Sequence, residues 1–148
     1  MKATEGKIGR VFVLRLEDGD IVPDCIEQFA VAKGIKVGHV ILVGGIGAGQ
    51  VVVGPRKTEE MPPDPMLLPL DAAHEAVANG VLAPDEKGKP VLHIHGALGR
   101  SGQTITGCLR HGVKTWLVAE AIIYEITGAK AIRKKDKKSG FTLLEVKS

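Results

Sequence analysis

The chain has 148 residues, 44% of them apolar and 25% charged, with a net charge of +3. That length supports one core and not two, and the composition excludes a disordered polar chain, so residues 1–148 are read as a single domain. No apolar run approaches the ~20 residues of a membrane helix. The opening MKATEGKIGR holds no apolar signal segment, and two cysteines, Cys25 and Cys108, cannot build a disulfide framework, so a cytoplasmic protein is expected.

Residues 8–16 (IGRVFVLRL) predict a strand that Glu17-Asp18-Gly19 stops. A helix follows: Pro23 fits its first turn, Asp24 and Glu27 suit the positive end of its dipole, and Val22, Ile26, Phe29 and Ala30 form one apolar stripe. Gly34 can close it in the left-handed conformation. Residues 37–43 and 51–53 predict strands on either side of a glycine cluster. Five of the eight prolines (Pro55, Pro62, Pro63, Pro65, Pro69) fall within 54–70, too many for a helix or an inner strand, so a loop is expected there. Residues 74–82 predict a strand and 85–89 (DEKGK) a turn. Residues 91–98 and 103–109 predict a hairpin around Gly99-Arg100-Ser101-Gly102. Residues 115–126 form the longest expected strand, and 141–146 are expected to close the sheet after a basic loop. Many antiparallel strands with one or two flanking helices give an α+β domain. Aromatic residues are only 3% of the chain. Aliphatic side chains bury less area than rings, which makes burial shared with a second subunit plausible.

The cluster Gly44-Gly45-Ile46-Gly47-Ala48-Gly49 does not fit a nucleotide loop. From Gly45 the pattern G-x-G-x-x-G needs glycine at the place of Gln50, and Val51-Val52-Val53 follows where a helix is required. A tight turn or a close approach between strands is the reading taken.

His93-Ile94-His95 with Cys108 is the sharpest constellation. Residues two apart on a strand share a face, ~6.6 Å apart along the chain. With an even hairpin loop centred between Arg100 and Ser101, His93 stands opposite Cys108 and His95 opposite Thr106, all on one face. Two imidazoles and a thiolate then suit Zn²⁺ with a fourth position open, and His111 is a reserve ligand. The plainer alternative is a pair of hydrogen-bonded strand histidines beside a buried cysteine. Glu120 stands mid-strand on the face of Trp116, Val118, Ile122 and Tyr124, and is expected to be buried. It is read as an ion pair, with Arg15 as the partner, or as a carboxylate serving the histidines as general base. Lys130, Arg133, Lys134, Lys135, Lys137 and Lys138 surround Asp136 as a solvated hairpin tip or a loop contacting nucleic-acid phosphates.

Taken together, these residues resemble the PPC (plants and prokaryotes conserved) domain family across nearly the whole chain. The resemblance rests on Lys89-Pro90-Val91-Leu92-His93-Ile94-His95, on Thr106-Gly107-Cys108-Leu109, on Glu120 in its apolar strand, and on Arg133, Asp136 and Gly140. Ile46-Gly47 matches a family glycine step and Arg15 a family arginine of the first strand. The resemblance implies a compact α+β domain, a mostly antiparallel sheet that assembles as a homotrimer. Some prokaryotic members look like metal proteins whose three histidines hold the ion. His93 and His95 carry over directly, whereas the family's Gly-Gly-His-Leu reads Thr106-Gly107-Cys108-Leu109 here, with cysteine in the ligand position. The DNA-inserting Arg-Gly-Arg-Pro core of plant members does not occur in this sequence. The expectation is a cytoplasmic homotrimer with a zinc-type site at His93, His95 and Cys108 and Glu120 as its proton carrier. A nucleic-acid-binding protein using the basic loop, or an assembly module without a site, are the alternatives.

Overall fold

A computed structural model describes residues 1–110 and 112–147. The alternation of apolar and polar residues drives most of the chain into strands. In order these are β1 (Lys7–Glu17), then helix α1 (Val22–Lys33), β2 (Gly38–Ala48), β3 (Gln50–Pro55), β4 (Pro65–Pro69), β5 (His74–Pro84), β6 (Pro90–Arg100), β7 (Gln103–Leu109), β8 (Lys114–Thr127), β9 (Ala131–Lys135) and β10 (Thr142–Val146). Eight of them form one sheet in the order β1-β8-β2-β5-β6-β7-β3-β4. Every neighbouring pair in it is antiparallel.

The described residues hold one helix of twelve residues against ten strands, so the domain is richer in β structure than the expected α+β class. The helix matches its sequence signals: Pro23 lies in the first turn, and Gly34 ends it at φ 67°. The segment 141–146 does not close the main sheet; β10 pairs with β9 in a separate two-stranded ribbon. The proline-rich stretch holds a strand, β4, but at the sheet's edge, where missing N–H groups cost no ladder bonds. The glycine cluster is a close approach, as read: Gly44 has φ +137°, and a Cβ there would lie 2.5 Å from the Ala119 Cα of β8.

Period-two alternation gives the sheet two unlike faces. Leu42, Leu82, Ile94, Leu98 and Ile123 are fully buried on one, under Val22, Ile26 and Ala30 of α1. The other face carries Val13 at 79% exposure, Val77 at 59%, Val11 at 51%, Val43 at 43% and Val81 at 39%. An apolar row of that extent left open is the mark of an association surface.

Glu27 ties helix to sheet. It is buried, and its Oε1 accepts the Leu92 N–H of β6 at 2.9 Å, while the Lys89 ammonium lies 3.7 Å from Oε2. An unanswered buried N–H costs about 1–3 kcal/mol, so Glu27→Ala is expected to lose that much stability, and Glu27→Gln, which keeps an acceptor, much less. Urea unfolding of both variants checks this.

A second tie joins β1 to β8. Arg10 grips Glu125 with two bonds of 2.7 Å, Nε to Oε2 and Nη2 to Oε1. The guanidinium bond holds the Glu125 carboxyl down at about 2, against an ordinary value of 4.5. A depressed folded value stabilises the fold above the unfolded value and loses that contribution as the group protonates. The melting-temperature gap between the native chain and Arg10→Gln should therefore be constant above pH 4.5 and close as pH falls toward 2. A gap that does not vary with pH would refute the assignment.

Candidate metal centre

The site is built by the β6–β7 hairpin. Ser101 and Gly102 turn it at φ 50° and 79°, the paired positive angles of a two-residue type I′ turn. Arg100 therefore pairs with Gln103, and counting back places His95 opposite Cys108 and Ala97 opposite Thr106. The expected register, with His93 opposite Cys108 and His95 opposite Thr106, is off by two residues. The cause is the centre of the turn, which lies between Ser101 and Gly102, one residue later than expected. An even slip keeps every side chain on its face, so the three expected ligands still converge.

One ligand atom from each of His93, His95 and Cys108 lies within 4.8 Å of the other two. The two Nε2 atoms are 3.0 Å apart, with the rings edge to face and their centroids 4.8 Å apart. The histidines are exposed and Cys108 is buried. A tetrahedral zinc with ordinary bond lengths sets two nitrogens roughly 3.3 Å apart, so the imidazole pair is already close to a chelating spacing. Imidazole with thiolate is also a donor set that suits zinc among divalent ions. The residues fit such an ion.

Burial, then the charges of His95, Arg133 and Arg110, lower the His93 pKa, which favours the neutral ring that binds metals. Burial raises the Cys108 thiol, and Arg110 and Arg133 pull against it. Arg110 follows Cys108 by two residues, just past the end of β7, and its charge acts on the sulfur. Arg133 reaches in from β9: its Nη2 donates to the Val81 carbonyl at 2.7 Å and its Nε to the Val91 carbonyl at 3.2 Å. Val81 is the cross-strand partner of His93.

The other expected site residues fall elsewhere. Glu120 is exposed, not buried. Its strand, β8, is separated from β6 by β2 and β5, three spacings or about 14 Å, so it does not serve the histidines of its own chain as a base. The apolar residues on both sides of it misled the reading, because its face of the sheet is apolar yet uncovered. Arg15 does stand opposite Glu120 in register, but its guanidinium lies 3.5 Å from Glu17. The basic run is not one loop: Arg133, at 4% exposure, is withdrawn from any phosphate backbone, and Lys134 pairs with Glu145 at 2.9 Å. Lys130, Lys135, Lys137 and Lys138 remain on the surface. His111, the reserve ligand, lies outside the described residues. Arg110 was not singled out from sequence, although its spacing of two from Cys108 is the same signal that joined His93 to His95.

Comparison with known proteins follows the same lines. The family model of the Plants and Prokaryotes Conserved (PCC) domain matches residues 3–127. The fold is similar to that of a metal-containing protein from Archaeoglobus fulgidus, at TM-score 0.84 and 25% identity over 98% of this chain and 99% of that one. It is equally similar to a plant- and prokaryote-conserved (PPC) protein from Pyrococcus horikoshii, at TM-score 0.85 and 25% identity over 100% of this chain and 99% of that one. A proposed DNA-binding protein from Bacteroides thetaiotaomicron matches at TM-score 0.78 and 18% identity over 97% of both chains, a likeness of fold alone. No curated protein matches the chain.

Proposed function

The chain belongs to the Plants and Prokaryotes Conserved (PCC) domain family, and from that premise we propose that it is a cytoplasmic, homotrimeric metal protein, a single domain in which His93, His95 and Cys108 hold a zinc-type ion. The observation that carries the reading is the convergence of three ligand atoms within 4.8 Å of one another. The metal-containing relative from Archaeoglobus fulgidus, at 25% identity, supports it.

Each ligand has a distinct part. The two imidazoles, fixed on one strand, supply nitrogen at nearly chelating distance. Cys108 supplies the charge: as a thiolate it offsets half that of a divalent ion. Held by His93, His95 and Cys108, such an ion would supply Lewis-acid chemistry, polarising a carbonyl or lowering the pKa of water. With Glu120 distant, no carboxylate joins the cluster of possible ligands among the described residues.

Protein purified without added metal is expected to carry about one zinc per chain by elemental analysis, and His93→Ala and His95→Ala under roughly a tenth of that. Cys108→Ala should lose the metal and Cys108→His recover it, because imidazole can replace the thiolate. Full occupancy in the histidine variants, or none in the native chain, would overturn the reading.

The trimer is supported by the open valine face described above, which lies on the same side of the sheet as the histidines. Sedimentation equilibrium should return three times the chain mass. Val77→Arg, at an exposed position of that face, should shift the population to monomer with its circular dichroism unchanged. A native monomer at micromolar concentration would dismiss the assembly.

The nucleic-acid reading is weaker on this geometry, because Arg133 is buried and Lys134 is paired.

A further inference from the structure

The two arginines around the cluster are more than the ligands alone need. Arg133 is a nearly fully buried cation. Its hydrogen bonds go to two neutral carbonyls, those of Val81 and Val91. No ion pair among the described residues includes Arg133 or Arg110. The nearest carboxylate acting on Arg133 is that of Glu27, already engaged with the Leu92 N–H and faced by Lys89. A buried charge with only dipoles for partners is costly unless an opposite charge answers it.

The charge count sharpens this. Apart from the Glu27 carboxylate, whose charge Lys89 also meets, the one group acting on the two guanidinium groups that can become an anion is the Cys108 sulfur, because His93 and His95 are neutral or positive. One positive charge is left over with the thiolate formed, and a divalent ion in the cluster would add to the surplus. Water answers such a surplus poorly beside a buried guanidinium. An oxyanion answers it well, since the planar fork of the exposed Arg110 matches the oxygens of carboxylate and phosphate, while Arg133, whose Nε and Nη2 already donate to carbonyls, contributes its charge. The place is also set by the chain: Arg110 follows Cys108 by two residues at the end of β7, and Arg133 is anchored on the strand partner of His93.

We propose that Arg110 and Arg133, together with the His93–His95–Cys108 cluster, form a binding site for the oxyanion group of a small molecule, a carboxylate or a phosphate. This deepens the metal-centre reading and rests on it for the site's location. Arg110 would seat the anionic end of a ligand within the positive field of Arg133, and the open side of the cluster would meet the atoms next to it.

The test is calorimetric titration of the full-length, zinc-supplemented protein with inorganic phosphate and, separately, with acetate, repeated after chelation of metal. The native chain should bind at least one of the two saturably, at one per chain. Arg110→Gln, a change at an exposed side chain, should weaken that binding at least tenfold with zinc content and melting temperature unchanged. Lys137→Gln, on the surface of the basic ribbon, should leave it as it was. Preference for phosphate or for acetate assigns the ligand's anionic group. Binding of neither anion, or equal binding by Arg110→Gln, overturns the proposal. If zinc is held but no anion binds, the arginine site alone falls. If anions bind in an arginine-dependent way to a chain that takes up no zinc, the metal reading falls and the oxyanion site stands.

Discussion

Everything at the candidate centre depends on the pairing of β6 with β7. The turn at Ser101-Gly102 fixes that pairing, and pairing alone brings a cysteine from one strand beside two histidines of the other. A slip of one residue would turn Cys108 into the core under α1 and leave the imidazoles facing nothing. The pairing is held from both sides. Leu92, Ile94 and Leu98 anchor one face of β6 in the core, while Gly107 lets β7 lie so close to β3 that a Cβ would collide with the Val52 carbonyl oxygen. The centre is thus a consequence of packing on the opposite face of the same strands.

That dependence explains what could be read in advance. The hairpin, its two strands and the shared face of His93, His95 and Cys108 follow from alternation and turn residues, which are local signals. The exact partner of each residue does not, since turns centred on Arg100-Ser101 and on Ser101-Gly102 are both compatible with Gly99-Arg100-Ser101-Gly102. The error was even, and parity is what places a side chain on a face. The Glu120 reading failed for a different reason. Apolar neighbours on both faces of β8 suggested a strand covered on both sides, but Val13, Val43 and Val77 lie open in this chain. Sequence patterns report that a surface is apolar, not whether this polypeptide is what covers it. Arg133 shows the same limit in reverse: a charge inside a basic run reads as solvated, and only the ribbon's position over β5 and β6 reveals it as buried.

The departure at position 108 can be weighed electrostatically. Two arginines beside the cluster favour the deprotonated forms of both ligand types, since a nearby cation lowers the affinity of imidazole and thiol alike for a proton. They therefore prepare the donors for a metal. The same two charges would repel a metal bound there. Three neutral imidazoles would leave that repulsion unanswered, with a divalent ion among two guanidinium groups and no anion in the cluster. A thiolate removes one positive charge at the shortest possible range, in bonding contact with the ion, where Coulomb attraction is least screened. Cysteine at this position is therefore the ligand choice that these electropositive surroundings tolerate best. Burial, which raises the cost of the free thiolate, acts in the same direction once a metal is bound, because it also strengthens the attraction between sulfur and ion.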